Sequence, residues 1–138
     1  MFHKIVLLLL LFIIGVVFYF SWLSDPSFSS ETYLPSWLLK WSNHYYNLRT
    51  AVPFLGLGFL LEIYTERNDS NETSTNKKLN LIQNIVFAAI IVCVAEGGQF
   101  VIQKRSPDFM DIFYGIVGSI IGALSYNLLK KLKNAKQT

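Results

Sequence analysis

Two acidic residues lie inside long apolar stretches of the sequence. Glu96 interrupts the stretch 79–102, and Asp111 lies near the start of the stretch 109–129. An ionisable side chain at the centre of a membrane helix costs roughly 2.5–3.5 kcal/mol, so it rarely occurs there without a partner or a purpose. Two carboxyl groups in different environments can divide the roles of general acid and general base between them. Glu96 and Asp111 are therefore the candidate catalytic residues, although no nucleophile motif accompanies them.

Two arginines lie next to apolar stretches of the sequence. Arg49 stands at the start of the apolar stretch 48–64, and Arg105 lies in the polar hinge 104–108 that joins the last two stretches. A guanidinium group can bind a phosphate or a carboxylate through two parallel hydrogen bonds. The pattern predicts a polar site for an outer-leaflet lipid or a cell-wall precursor. Its expected ligand-binding members are Arg49, Glu96, Gln99, Arg105, Asp108 and Asp111.

Other interpretations of these polar residues stay open. Buried polar side chains can simply join helices through hydrogen bonds, which are worth about 1–2 kcal/mol each in model peptides. Glu96, Asp108 and Asp111 could bind a metal, but the chain has neither an H-x-x-x-H motif nor a dense aspartate cluster. No metal and no cofactor are therefore predicted. His44 could act as a base or a ligand, yet a single interfacial histidine is more often a hydrogen-bonded surface residue.

The composition is that of an integral membrane protein. Of the 138 residues, 52% are hydrophobic and only 15% are charged, which is too apolar for an ordinary soluble domain. The formal net charge is +3 at pH 7, but the basic residues are not interleaved with aromatic residues along one face. Nucleic acid is therefore not expected as a partner. The single cysteine, Cys93, has no partner for a disulfide. We expect a single membrane domain that covers residues 1–138 and lies in the lipid bilayer.

Four apolar stretches can cross a bilayer as helices, because a helix rises ~1.5 Å per residue and the hydrocarbon core is ~30 Å thick. The segment between the first two stretches is rich in tryptophan and tyrosine, which prefer the level of the lipid headgroups. A short amphipathic helix is expected there, from Pro35 to His44. The fold is predicted to be all-α, a polytopic bundle of four transmembrane helices with an interfacial aromatic segment between helices 1 and 2. The predicted spans are about 5–23, 48–64, 79–102 and 109–129.

The distribution of lysine and arginine predicts the orientation, because cytoplasmic loops carry an excess of these residues. With both termini inside, eight basic residues lie on the cytoplasmic side and four lie outside. The N-in/C-in arrangement is therefore expected, in a multi-pass protein of the cytoplasmic membrane whose polar site faces outwards. The inside group is Lys4, Arg67, Lys77, Lys78, Lys130, Lys131, Lys133 and Lys136, and the outside group is Lys40, Arg49, Lys104 and Arg105.

Small residues mark the helix faces that are expected to pack. Along the last helix, steps of three and four place the members of one stripe on the same face. This stripe consists of Asp108, Asp111, Gly115, Gly118 and Gly122. Gly118 and Gly122 also form a small-xxx-small element that lets two backbones approach closely. Pro53 and Gly56 are the expected packing residues of the second helix. A comparable stripe is expected on the third helix, from Ala89, Cys93, Glu96, Gln99 and Gln103.

The hinge is expected to contain an ion pair. Ser106-Pro107 breaks the helix, since the residue before a proline avoids the helical region. The turn brings Arg105 near the start of the last helix, where the helix dipole also favours negative charge. Arg105 is therefore predicted to pair with Asp108 or Asp111.

These residues resemble the signature of a known family. Glu96-x-x-Gln99 is followed by Arg105, Asp108 and Asp111 and then by the glycines of the last helix. This order is similar to the E-x-x-Q…R-x-x-D-x-x-D…G signature of the VanZ-like family. The resemblance implies a small polytopic bacterial membrane protein. The VanZ-like family is named for low-level resistance to the glycopeptide teicoplanin, and no reaction is established for it.

The resemblance covers roughly the second, third and fourth helices, and the chain departs from it at two positions. Residues 47–56 are similar to the family's N…I-P-L-G segment. The family usually has an asparagine four residues after the aspartate matched by Asp111, but this chain has Gly115 there. A lysine three residues before a histidine is also typical, whereas Lys40 is four residues before His44.

The resemblance implies an effect on the cell envelope. The favoured function is altered access of a lipoglycopeptide such as teicoplanin, or of its target, to the outer membrane surface. One alternative is a membrane-embedded enzyme acting on a lipid-linked phosphate, with Glu96 as acid or base and the arginines holding the phosphate. Another is a non-catalytic subunit of an envelope or polysaccharide assembly. A binding role is favoured over catalysis.

Overall fold

The computed structural model describes residues 1–68 and 74–136, and these contain helices and no strands. Four segments are long and apolar enough to cross a membrane, namely Phe2–Ser21, Tyr46–Glu66, Asn76–Val101 and Phe109–Ala135. The predicted all-α class with four candidate spans is therefore confirmed. The helices are α1 (Phe2–Ser21), α2 (Ser36–His44), α3 (Tyr46–Asn68), α4 (Ser74–Gly98) and α5 (Phe109–Ala135), with a 3₁₀ turn at Gln99–Val101 after α4.

Local sequence explains where α2 and α5 begin. The short helix expected from Pro35 to His44 is present as α2, and it begins directly after Pro35. Asp108 is the N-cap of α5, where its Oδ1 accepts a hydrogen bond from the backbone N–H of Met110 at 2.8 Å. This bond satisfies a donor that has no partner within the helix. α3 continues through Pro53, and α5 continues beyond the predicted end of its span to Ala135.

The most extensive helix pair is α3 with α5, and glycines allow its close approach. A methyl group at any of three glycines would overlap the main chain of the facing helix. Small residues permit such approach in membranes, and they allow Cα–H···O=C contacts worth about 0.5–1 kcal/mol each. The facing pairs are Gly58 with Ser119, Gly118 with Ala51, and Gly122 with Leu55.

The buried face of α4 differs from the predicted stripe. Val92 is fully buried, whereas Cys93 is exposed. Gln103, beyond the end of α4, is exposed as well. One residue corresponds to about 100° around a helix, so packing on Val92 turns its neighbour towards the surface. The prediction was wrong for Cys93 and Gln103, while Glu96 and Gln99 are both buried.

Candidate functional site

A cavity of about 270 Å³ lies at the end of the bundle where α2 and the hinge meet the long helices. Apolar side chains form most of its wall. Five of the six residues predicted to bind a ligand line it, and Asp108 does not. The fold therefore brings most of the predicted site together from four separate parts of the chain. The polar lining residues are Ser21, Ser42, Arg49, Thr50, Glu96, Gln99, Arg105 and Asp111.

Glu96 joins the end of α4 to the start of α5. It is 4% exposed, and both of its carboxylate oxygens accept hydrogen bonds. Oε1 accepts from Nε2 of Gln99 at 3.0 Å, and Oε2 accepts from the backbone N–H of Asp108 at 3.2 Å. Both acceptor atoms are thus used inside the protein, which fits a positioning role for Glu96.

The end of α1 is tied to the same place. Nε2 of Gln99 also donates to Oγ of Ser21 at 2.9 Å. Ser21 Oγ and Trp22 Nε1 in turn donate to the carbonyl oxygen of Ala95, at 3.1 and 3.0 Å. Hydrogen bonds therefore hold α1, α4 and the start of α5 together at one side of the cavity.

The second intramembrane acid contacts α3. Asp111 is 4% exposed, and its Oδ1 accepts a hydrogen bond from Oγ1 of Thr50 at 3.0 Å. Thr50 was not among the predicted site residues. Among the described residues, no three His, Cys, Asp or Glu side chains lie close enough together to hold a metal ion.

Arg49 holds the connection between α1 and α2 against α3. Its Nη1 donates to the carbonyl oxygen of Pro26 at 2.7 Å. The guanidinium carbon also lies 4.5 Å from the ring centre of Phe28 and 4.2 Å from that of Tyr46. Each such cation–π contact is worth about 0.5–2 kcal/mol. Arg49 therefore holds the connection between α1 and α2 in place, and its guanidinium group is not a wholly free cation in the cavity.

The same connection is folded around an aspartate. Asp25 accepts hydrogen bonds from the hydroxyls of Ser27 and Ser29 and from the backbone N–H of Ser27 and Ser30. These bonds, chiefly those from the two hydroxyls, hold the pKa of the Asp25 carboxyl well below its usual range. Phe28 is buried and adopts a positive φ of 54°, so the turn directs its ring towards the cavity.

Arg105 does not form the predicted ion pair. Among the side chains that the structure describes, those of residues 1–66 and 76–136, the only ion pair joins Lys130 to Glu66. Arg105 instead donates from Nη2 to the carbonyl oxygen of Ser21 at 2.9 Å. Its Nε and Nη1 atoms are buried without a hydrogen-bond partner. The prediction was wrong because the nearby carboxylates already have other donors: Asp108 caps α5, and Asp111 accepts from Thr50.

Ser42 is a further polar residue of the cavity that sequence reasoning missed. It lies on α2 and is 4% exposed, and its Oγ has no hydrogen-bond partner. A buried hydroxyl without a partner is unusual, because it forfeits its hydrogen bonds with water. A serine in an aromatic interfacial helix gives no sequence signal of this kind.

A second buried polar cluster lies at the opposite end of the long helices. Glu62 is 6% exposed and accepts hydrogen bonds from Nδ2 of Asn84 at 2.9 Å and from Nδ2 of Asn127 at 3.2 Å. Glu62 was not among the predicted site residues. The rule that led to Glu96, an ionisable residue inside an apolar span, would also have found Glu62.

The predicted packing residues lie around the cavity and below it. Pro53 lines the cavity, and a methyl group on Gly56 would meet Ile13 of α1 at 3.3 Å. Gly115 faces Val92 and Phe54, and a methyl group there would come within 2.8 Å of Val92. The asparagine that the resemblance leads one to expect at this position would therefore require the neighbouring side chains to move.

Comparison with known proteins gives one match. The sequence matches the family VanZ/LLP1 over residues 5–130. No curated protein and no solved structure matches the chain. The matched region includes all four candidate spans except their outermost residues, and it includes every polar residue that lines the cavity. The chain therefore belongs to the VanZ/LLP1 family of membrane proteins.

Proposed function

We propose that this VanZ/LLP1-family membrane protein binds an amphiphilic component of the cell envelope in the cavity beneath α2. One observation carries the proposal: Arg105 lines a cavity with largely apolar walls, and two of its guanidinium nitrogens are buried without a hydrogen-bond partner. A buried charge without hydrogen-bond partners is costly, and a ligand with an acceptor group would supply them. Mostly apolar pockets with a few polar groups are typical of ligand sites.

The proposal places the cavity on the outer side of the cytoplasmic membrane. The excess of lysine and arginine near the termini and in the connection between α3 and α4 favours an N-in/C-in arrangement. α2, the hinge and the mouth of the cavity then face the cell envelope. Occupation of the cavity alters access of a lipoglycopeptide such as teicoplanin, or of its target, to the outer surface of the membrane.

The hydrogen bonds favour binding over catalysis. A general acid or base needs an oxygen within reach of the proton that it transfers. Both oxygens of Glu96 already accept hydrogen bonds from the protein, and Oδ1 of Asp111 accepts one from Thr50. Proton transfer by Glu96 to a lipid-linked phosphate would require one of its two hydrogen bonds to be exchanged during the reaction.

Teicoplanin susceptibility tests the function. We expect a susceptible bacterium that expresses the wild-type protein to show a higher minimum inhibitory concentration than the same strain with an empty vector. Arg105→Gln should return the value to that of the empty vector, because the cation that faces the ligand is lost. Gly15→Ala is the matched control, since a methyl group at Gly15 meets no atom within 4 Å.

Protein levels in the membrane must be equal for this comparison. Wild-type protein that leaves susceptibility unchanged, or an Arg105→Gln variant that protects as well as the wild type, would contradict the proposed function.

A further inference from the structure

The polar groups that lack partners in the cavity are hydrogen-bond donors. Nε and Nη1 of Arg105 can only donate, and the hydroxyl of Ser42 can donate as well as accept. The carboxylates beside them are already supplied with donors, Glu96 by Gln99 and Asp111 by Thr50. The buried atoms without partners therefore need acceptor atoms, and for the cationic Arg105 an anionic acceptor gives the stronger bond.

The remaining walls of the cavity suit a hydrocarbon chain. The part formed by α1, α2, α3 and the loop before α2 carries aliphatic and aromatic side chains. A cavity of about 270 Å³ is near the lower limit of ligand pockets, which typically measure ~300–1,000 Å³. It can hold a headgroup and the first part of a chain but not a whole lipid. The apolar residues in question are Val16, Phe20, Leu34, Leu38, Leu39 and Val52.

Val52 shows where the rest of such a chain would leave. It lines the cavity and is also 54% exposed, although it lies inside a candidate membrane span. An exposed apolar residue at that depth faces lipid. Val52 therefore lies where the cavity wall meets the lipid-facing surface of the bundle.

We propose that the cavity is a lateral site for a membrane lipid with a phosphate headgroup. The phosphate accepts hydrogen bonds from Arg105 and Ser42, and the chain passes Val52 into the bilayer. Arg105 supplies charge-assisted bonds, which are about twice as strong as neutral ones. This inference rests on the proposed function for its ligand class, but it adds Ser42 and the lateral opening, and it can be tested without any measurement of resistance.

Ser42→Ala is the informative variant. The hydroxyl has no partner within the protein, so its removal breaks no contact and should leave the free energy of unfolding unchanged or slightly higher. Arg105→Gln also loses the bond to the carbonyl oxygen of Ser21, so its folding must be verified separately. Val52→Trp should obstruct the lateral opening while leaving the polar groups in place.

The experiment is native mass spectrometry of the purified full-length protein in detergent. The probes are dioleoyl phosphatidic acid, dioleoyl glycerol, which lacks the phosphate, and inorganic phosphate. We expect the wild type to bind phosphatidic acid and neither of the other two at the same concentration. Ser42→Ala should weaken this binding by about 2–10-fold. Arg105→Gln should weaken it by about 30-fold or more, and Val52→Trp should weaken it while Gly15→Ala leaves it unchanged.

Equal binding of inorganic phosphate would overturn the lipid assignment in favour of a soluble anion. Equal binding of dioleoyl glycerol, or binding of phosphatidic acid that Ser42→Ala and Arg105→Gln leave unchanged, would show only lipid adhering to the outside of the bundle. If the three probes bind equally, or the variants bind phosphatidic acid as well as the wild type does, while teicoplanin protection persists, this inference alone would be overturned. Retained binding without protection would overturn the proposed effect on teicoplanin access and leave the lipid site standing.

Discussion

Gly122→Ala should lower the free energy of unfolding by about 1–3 kcal/mol, at the upper end of this range because main-chain atoms are in the way. A methyl group at Gly122 would overlap the carbonyl group of Leu55 on the facing helix. Main-chain atoms cannot move aside by changing a rotamer, so α3 and α5 would have to separate. Their separation would weaken the most extensive helix contact in the molecule. Unfolding in mixed micelles titrated with sodium dodecyl sulfate measures the effect.

Gly15→Ala is again the matched control, because a methyl group at Gly15 meets nothing within 4 Å. It should be neutral or stabilising by up to about 1 kcal/mol, the difference in helix propensity between glycine and alanine. Gly58→Ala and Gly118→Ala should behave like Gly122→Ala, since each would also overlap main-chain atoms. Equal stability of the Gly122 and Gly15 variants would show that α3 and α5 are not packed as described.

Glu96→Ala should cost about 1–3 kcal/mol of stability for each of the two donors that it leaves without an acceptor. These donors are the backbone N–H of Asp108 and one N–H of the Gln99 side-chain amide, whose other N–H still donates to Ser21. Both belong to the junction of α1, α4 and α5, so the loss should loosen the cavity wall as well. The same titration in mixed micelles provides the measurement.

Glu96→Gln separates the number of acceptors from the shape of the side chain. A glutamine has one acceptor oxygen, so it can satisfy only one of the two donors and places an NH₂ group against the other. We expect the free energy of unfolding of Glu96→Gln to lie between that of the wild type and that of Glu96→Ala. Gln103→Ala is the control, since Gln103 is exposed and lies close by in the chain. A Glu96→Ala variant as stable as Gln103→Ala would refute the positioning role of Glu96.

The sequence was sufficient for the helices and for part of the site because both depend on short-range pattern. Apolar stretches of sufficient length predict spans, and the spacing of Glu96 and Gln99 places both side chains on one helix face. The small residues at Gly118 and Gly122 similarly predict a close helix contact. Each of these inferences uses residues fewer than about eight positions apart or the bulk property of a segment.

The contacts of Arg105 and Ser42 depend on residues far away in the chain. Arg105 donates to Ser21, which is 84 positions earlier, and no sequence pattern links the two. An ion pair with the nearby Asp108 or Asp111 was the reasonable expectation, but capping of α5 and the hydroxyl of Thr50 use those carboxylates. The burial of Ser42 likewise follows from the way α2 covers the long helices. These features required the three-dimensional fold.

The side of the membrane on which α2 lies tests the central claim most directly, because an envelope ligand can reach the cavity only from outside. Cys93 is exposed, so a Cys93→Ser background is needed for cysteine labelling. Ser30→Cys lies in the connection before α2 and Lys131→Cys lies near the end of α5, and both positions are exposed. In intact cells a membrane-impermeant maleimide should label Ser30→Cys and spare Lys131→Cys until the cells are lysed. Labelling of Lys131→Cys but not of Ser30→Cys in intact cells would place the cavity on the cytoplasmic side and contradict the account.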